Sequence, residues 1–201
     1  MVKKSPLSEY ANIRAGGIIA ITVDEEDEVI AARLTAGDQE IFLASSGGKA
    51  IRFAESDVRP MGRTSRGVRG MTLKGDDQLV AMEVPSPGST ILTVTENGFG
   101  KRTPLEEYPT QNRGGQGVIT IKTTTRNGMV AGAMQVASDD HLMLSTEGGK
   151  IIRMAVEGIS TVGRNTQGVR LVELDDDLVS GVMRLAEPED DEEEGEAAAE
   201  E

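Results

Sequence analysis

The stretch IFLASSGGKAIRFAESDVRPMGRTSRGVRGMTL, residues 41–73, comes back twice. Its second copy is ILTVTENGFGKRTPLEEYPTQNRGGQGVITIKT, residues 91–123, and its third is LMLSTEGGKIIRMAVEGISTVGRNTQGVRLVEL, residues 142–174. Gly48, Gly98 and Gly149 coincide, as do Gly67, Gly117 and Gly168, at periods of 50 and 51 residues. Arg52, Arg102 and Arg153 fall in register, and so do Arg63, Arg113 and Arg164. A partial copy opens the chain: Met1-Val-Lys-Lys enters mid-repeat, near the position of Ala50 to Arg52, and Gly17 then corresponds to Gly67. Self-similarity at such a period marks an array of supersecondary units that bury their faces against one another.

Each unit reads as β. An apolar run (41–45, 91–95, 142–146) meets a Gly-Gly or Asn-Gly pair. Such pairs make hairpin turns, because glycine takes positive φ at little cost. A second strand carries the basic residue, and a polar loop rich in Gly, Arg, Thr and Asn follows. A third strand is predicted from Gly67-Val68, Gly117-Val118 and Gly168-Val169. A fourth is predicted over 79–84, 130–136 and 179–185, entered through Asp-rich turns at Asp76-Asp77 and Asp175–Asp177. Residues 27–36 are expected to supply that strand in the partial unit. Four strands every ~50 residues make a propeller or pinwheel blade. The expected fold is therefore all-β, an incomplete disc of four-stranded blades. Its domain spans 1–187, with units at about 1–36, 37–86, 87–137 and 138–187. The WD and kelch signatures are absent, as is the regular Gly-Gln-Leu-Gly pattern of the chromosome-condensation-regulator propeller.

Composition narrows the function. Aromatic residues make up 2% of the chain and there is no Trp, so an aromatic platform for stacking bases is not expected. The absence of cysteine excludes a disulfide framework, a thiolate zinc site and a Cys nucleophile, and fits a reducing cytoplasm. The longest apolar or Gly stretch, 15–23, is broken by Thr22 and falls short of the ~20 residues that span a bilayer. No signal-peptide pattern opens the chain. The net charge of −13 is unevenly spread: ten acidic residues and no Lys or Arg lie between Glu187 and Glu201, leaving 24 acidic and 21 basic residues before them. A near-neutral body thus carries an acidic tail, 188–201, whose composition predicts disorder. The tail is either a solubilising end or a DNA mimic that competes for basic positions.

Catalytic and metal-binding patterns are thin. His141 is the only histidine, beside Asp139-Asp140 at a turn, which does not make a metal site. The run Asp24 to Glu28 lacks EF-hand spacing and reads as a solvated turn. No Walker loop, dinucleotide fingerprint or nucleophile elbow occurs. The two tyrosines, Tyr10 and Tyr108, each follow a Glu and read as structural.

Several segments resemble the carboxy-terminal domain family of bacterial DNA gyrase A subunits. They are Asn97-Gly98-Phe99-Gly100-Lys101-Arg102-Thr103, Val162-Gly163-Arg164-Asn165-Thr166-Gln167-Gly168-Val169, and Ser65-Arg66-Gly67-Val68-Arg69-Gly70, together with the acidic ending. The equivalent domain of topoisomerase IV is a near relative. The resemblance covers essentially 1–187. It implies a β-pinwheel with swapped strands and a basic rim on which duplex DNA wraps, supporting negative supercoiling. It also implies that this chain is a non-catalytic part of a type II topoisomerase. The cleaving tyrosine, and the ATP and Mg the parent enzyme uses, would lie on other domains or subunits, with the rest of gyrase A and gyrase B as partners. The family box Gln-Arg-Arg-Gly-Gly-Lys-Gly is expected on an upstream blade. A box-like heptad stands here, Gln111-Asn112-Arg113-Gly114-Gly115-Gln116-Gly117, with Asn112 and Gln116 where the box has cations. It reads either as a DNA-contacting loop or as a Gly-rich connection.

Wrapping needs point charges along a curved path, and each neutralised phosphate releases counterions. The candidate contacts are the hairpin cations Lys49, Arg52, Lys101, Arg102, Lys150 and Arg153, with Lys3 and Lys4 extending that row. A second row is Arg63, Arg66, Arg69, Arg113, Arg164 and Arg170. One cation per blade at the same height is expected to form a stripe on the rim. Two other readings stand beside this one: a protein-binding propeller, which predicts an apolar or acidic concave patch, and an enzyme with a site at the hub, which needs convergent carboxylates or histidines.

Overall fold

The glycine pairs turn hairpins as their chemistry requires. In the computed structural model, which describes residues 1–185, Gly48 and Gly98 lie at φ +78° and +76°. The first joins β1 (Glu40–Ser45) to β2 (Lys49–Ala54). After β3 (Leu79–Glu83), the second joins β4 (Thr90–Thr95) to β5 (Phe99–Pro104). There follow β6 (Val118–Ile119), β7 (Val130–Val136), β8 (His141–Thr146), β9 (Ile151–Ala155), β10 (Val169–Arg170) and β11 (Val179–Leu185). The only helical pieces among the described residues are 3-10 turns at Leu7–Tyr10, Glu55–Asp57 and Leu105–Glu107.

The third strand of a unit leaves its own sheet for the preceding one. The sheets run β3-β1-β2-β6, β10-β5-β4-β7 and β11-β8-β9, all antiparallel. Thus β6 lies on β2 with Val118 opposite Ala50, and β10 lies on β5 with Val169 opposite Gly100. A bridge between Val2 and Val68 repeats the exchange one unit earlier. Glycine permits the close approach: a Cβ on Gly117, at φ +69°, would stand 2.2 Å from the Ala50 carbonyl oxygen.

Packing follows from the exchange. Two buried clusters straddle the seams between sheets, one joining Phe42, Ala50 and Ala81 to Ile91, Leu105 and Tyr108, another joining Leu92, Val94 and Val136 to Leu142, Leu144 and Ile159. A third cluster, Ile41, Leu43, Ile51, Phe53, Val58 and Met71, lies within the unit 37–86, with Val2 of the preceding unit packed against it. Burial of apolar area, at roughly 25 cal/mol per Å², thus stabilises units both internally and jointly with their neighbours. Strand β3 packs on β7 and β7 on β11, which gathers the fourth strands on the inside and leaves the exchanged strands at the outer edge.

One expectation needs correction. Residues 27–36 form no strand, and Val29 and Ile30 are exposed, because no described strand lies beside them to complete a ladder. In the third sheet β9 is an edge without an exchanged strand among the described residues. The acidic tail, 188–201, lies outside the described residues.

Candidate nucleic-acid interface

The repeated cations point mainly into the seams. On β2, Arg52 pairs with Glu40 and donates to the carbonyls of Leu105 and Tyr108 at 3.1 Å each. On β5, Arg102 donates to the Ile159 carbonyl at 2.8 Å and the Glu157 carbonyl at 3.4 Å. Lys4 reaches the Glu55 carbonyl at 3.1 Å and its carboxylate at 3.4 Å. All three acceptor groups lie in the turn after the second strand of the next unit, whose carbonyls have no ladder partner. Burial raises the pKa of the Glu40 carboxyl, but hydrogen bonds from Arg52 and Thr110 and the Arg52 charge outweigh it and hold the group below its ordinary range.

Three members of the second row, Arg63, Arg113 and Arg164, behave the same way in the opposite direction. Arg63 donates to the Ile19 carbonyl, Arg113 to the Arg69 carbonyl at 3.0 Å, and Arg164 to the Ile119 carbonyl at 3.0 Å. Those acceptors occupy one repeat position in successive units. Arg113 also reaches Asp57 O at 2.9 Å. Lys101 is fully buried and donates to Gly163 O at 2.7 Å and Arg164 O at 2.5 Å. Burial pushes its pKa down to about 8, with Glu107 opposing and the Arg164 charge adding to the shift. Lys3 likewise donates to Ala20 O at 2.6 Å and to Arg63 O. The expected rim stripe at Arg52 and Arg102 is therefore corrected: both are half-buried staples between units, and Arg153 alone of the three is exposed, its Nε 3.3 Å from His141 Nδ1.

Other expected cations do face solvent. Arg69, Lys150 and Arg170 are exposed, Arg66 is exposed and paired with Asp24 at 2.8 Å, and Lys49 is half-buried on the hairpin. Arg170 also pairs with Glu173 at 2.8 Å. The structure adds two that the repeat did not flag, the exposed Lys122 and Arg126. The Arg126 guanidinium carbon stands 4.9 Å from the centroid of the Phe99 ring, and that of Arg170 stands 5.4 Å from it. Cation–π attraction holds a guanidinium over such a ring with its outer face still wet. The sign in the sequence was Phe99 itself, an aromatic where the other units carry Lys49 and Lys150.

The box-like heptad is anchored by its backbone. Gln111 N donates to Arg52 O at 2.8 Å and Gly114 N to Gly70 O at 2.6 Å. Thr72 donates from its amide to Gly115 O at 2.8 Å and from its hydroxyl to Gly114 O at 2.7 Å. Asn112, Gly115 and Gln116 are exposed, whereas Arg113 turns into the seam and Gly117 opens the exchanged strand. Tyr108 is buried, its ring edge-on to Phe42 and its hydroxyl 2.6 Å from Thr120 Oγ1.

Among the described residues no helix is long and apolar enough to cross a membrane. The family described as DNA gyrase C-terminal domain, beta-propeller, matches residues 1–36, 39–86, 89–137 and 140–186. The DNA gyrase A subunit of Salmonella typhimurium is 51% identical over 193 residues, 96% of this chain and 22% of that protein. Its counterpart in Pseudomonas aeruginosa is 50% identical over 204 residues, 99% of this chain and 22% of that protein. The chain thus spans about a fifth of the length of these relatives. Among solved structures, the C-terminal domain of a DNA topoisomerase IV aligns with a TM-score of 0.87 at 28% identity, over 92% of this chain and 58% of that one. A DNA gyrase A C-terminal domain aligns with a TM-score of 0.78 at 30% identity, over 85% of this chain and 59% of that one. The strand-exchanged sheets are those of a β-pinwheel, and the chain belongs to the DNA gyrase C-terminal domain family.

Proposed function

We propose that this chain is a DNA-binding and DNA-wrapping module of a type II topoisomerase, on the gyrase A side. It bends duplex DNA round its outer edge in support of negative supercoiling. It does so without a catalytic site of its own, alongside the rest of gyrase A and gyrase B in a bacterial cytoplasm, with ATP and Mg used elsewhere in the parent enzyme. The observation that carries the reading is the pair Arg126 and Arg170, exposed on adjacent units over one Phe99 ring. With Arg69, Lys122, Lys150 and Arg153, and with Lys49 and Arg66 behind them, they offer phosphate contacts. Bending a 20–30 bp site by 40–90° costs roughly 1–6 kcal/mol, which several such contacts offset without reading sequence.

The topoisomerase IV alternative has the higher TM-score, 0.87 against 0.78, but the shared fold serves both. Identity of 51% to a gyrase A chain favours gyrase. Duplex-DNA binding by the 201-residue chain, measured against salt, tests the proposal. Affinity that falls steeply with salt supports it, and no binding at low salt rejects it in favour of a protein-binding propeller.

A further inference from the structure

Lys3, Ile51 and Lys101 occupy one position of the repeat. Register fixes this, because the residue before each lies opposite the valine of the exchanged strand: Val2 opposite Val68, Ala50 opposite Val118, Gly100 opposite Val169. Each side chain sits beneath an outer loop of the next unit, and it meets that loop in one of two ways. Lys3 donates to Arg63 O, and Lys101 donates to Gly163 O and Arg164 O. Ile51 has nothing to donate. Its Cδ1 lies 3.6 Å from where a Cβ of Gly115 would stand, so its apolar tip faces that glycine of the loop.

The loops differ to match. Over the lysines they read Gly62-Arg63-Thr64-Ser65 and Gly163-Arg164-Asn165-Thr166, and over the isoleucine Asn112-Arg113-Gly114-Gly115. In the first kind a hydroxyl closes the loop: Ser65 Oγ donates to Gly62 O at 2.9 Å, and Thr166 Oγ1 to Gly163 O at 3.1 Å. Gly115, at that position, has no hydroxyl. In the second kind Gly114 turns left-handed at φ +85°, whereas Thr64 and Asn165, its equivalents, do not; Asp176 is the one non-glycine with positive φ among the described residues. An ammonium sealed from water requires acceptors, so it draws carbonyls inward. An aliphatic tip cannot satisfy inward carbonyls, so the loop above it must turn them elsewhere.

We infer that this inter-unit residue is a positioning residue that sets the conformation of the outer loop above it. Lysine selects the hydroxyl-closed loop with inward carbonyls, and isoleucine selects the Gly-Gly loop with a left-handed turn. The outer edge thus runs closed, open, closed across residues 62–67, 112–117 and 163–168. The inference concerns loop geometry alone and stands whether or not DNA binds there.

The test is amide hydrogen exchange by NMR on the whole chain at fixed pH. In Lys101→Ile, exchange in residues 163–168 should speed up tenfold or more, while β4 and β5 keep their protection. Lys101→Arg should retain most of the protection. Adding Gly163→Asn, Asn165→Gly and Thr166→Gly to Lys101→Ile should restore protection to the level of residues 112–117; the same three changes with Lys101 kept should not. If Lys101→Ile unfolds the chain, the reciprocal set reads the same coupling: Ile51→Lys, with and without Asn112→Gly, Gly114→Asn and Gly115→Thr. Loop exchange within twofold of the parent in Lys101→Ile, or loop replacements that act alike over lysine and isoleucine in either set, would overturn the inference.

Discussion

Arg102 on β5 donates its Nε proton to the carbonyl of Ile159 at 2.8 Å, across the seam between two strand-exchanged sheets. The contact separates two roles that a basic residue can have in this fold. A guanidinium that satisfies carbonyls of the next unit holds the disc together; one that stands on the outer edge remains available to a polyanion.

Removing the first kind should cost stability. Arg102→Ala leaves the Ile159 carbonyl without its charged partner, and such bonds contribute about 1.5–3 kcal/mol. An unfolding free energy lowered by that amount, with a correspondingly lower denaturation midpoint and with duplex-DNA affinity of the folded fraction little changed, is the expected outcome. A normal midpoint with lost DNA affinity would return Arg102 to the DNA surface.

Removing the second kind should do the reverse. Arg126→Gln with Arg170→Gln takes two exposed guanidiniums off the Phe99 ring. The slope of log affinity against log salt should shrink by about 1.8, at roughly 0.9 per phosphate contact, with the melting temperature nearly unchanged. Fluorescence anisotropy across a salt series reads the slope directly.

Lys101 predicts a pH dependence. Its ammonium is held down at about 8 by burial, against an ordinary 10.5, so between those values the unfolded chain binds more protons than the folded one. Stability should therefore rise as pH climbs from about 8, each unit of that difference being worth about 1.4 kcal/mol. Near pH 10 buried Tyr108 opposes this, because burial raises its pKa and the unfolded chain ionises first. Urea unfolding at pH 7.5 and 9.5 should show the gain, and Lys101→Met should abolish it.

Two neighbouring glycines should answer differently to alanine. Gly117→Ala forces a Cβ to 2.2 Å from Ala50 O at φ +69°, which displaces the exchanged strand β6 and should cost several kcal/mol. Gly115→Ala meets nothing closer than Ile51 Cδ1 at 3.6 Å and should be tolerated within about 0.5 kcal/mol. Thermal melts of the two variants make the comparison.

The repeat, its hairpins and the strands at Glu40–Ser45, Thr90–Thr95 and His141–Thr146 were legible in the sequence. They rest on local chemistry: glycines that accept positive φ and apolar runs of strand length. Which sheet Val118 and Val169 would join was not legible from their residues, because a strand's partner is set by long-range pairing. The sequence also could not sort its cations by itself. Arg102 and Arg153 are identical in type and repeat position, yet Arg102 lies against carbonyls of the following unit and Arg153 faces solvent. The sequence alone determined a β-repeat with a charge at a fixed place in each unit. The tertiary structure decided whether that charge is a staple or a surface, because the turn carbonyls that capture a half-buried guanidinium belong to a different unit and come within its reach only once the sheets have exchanged strands.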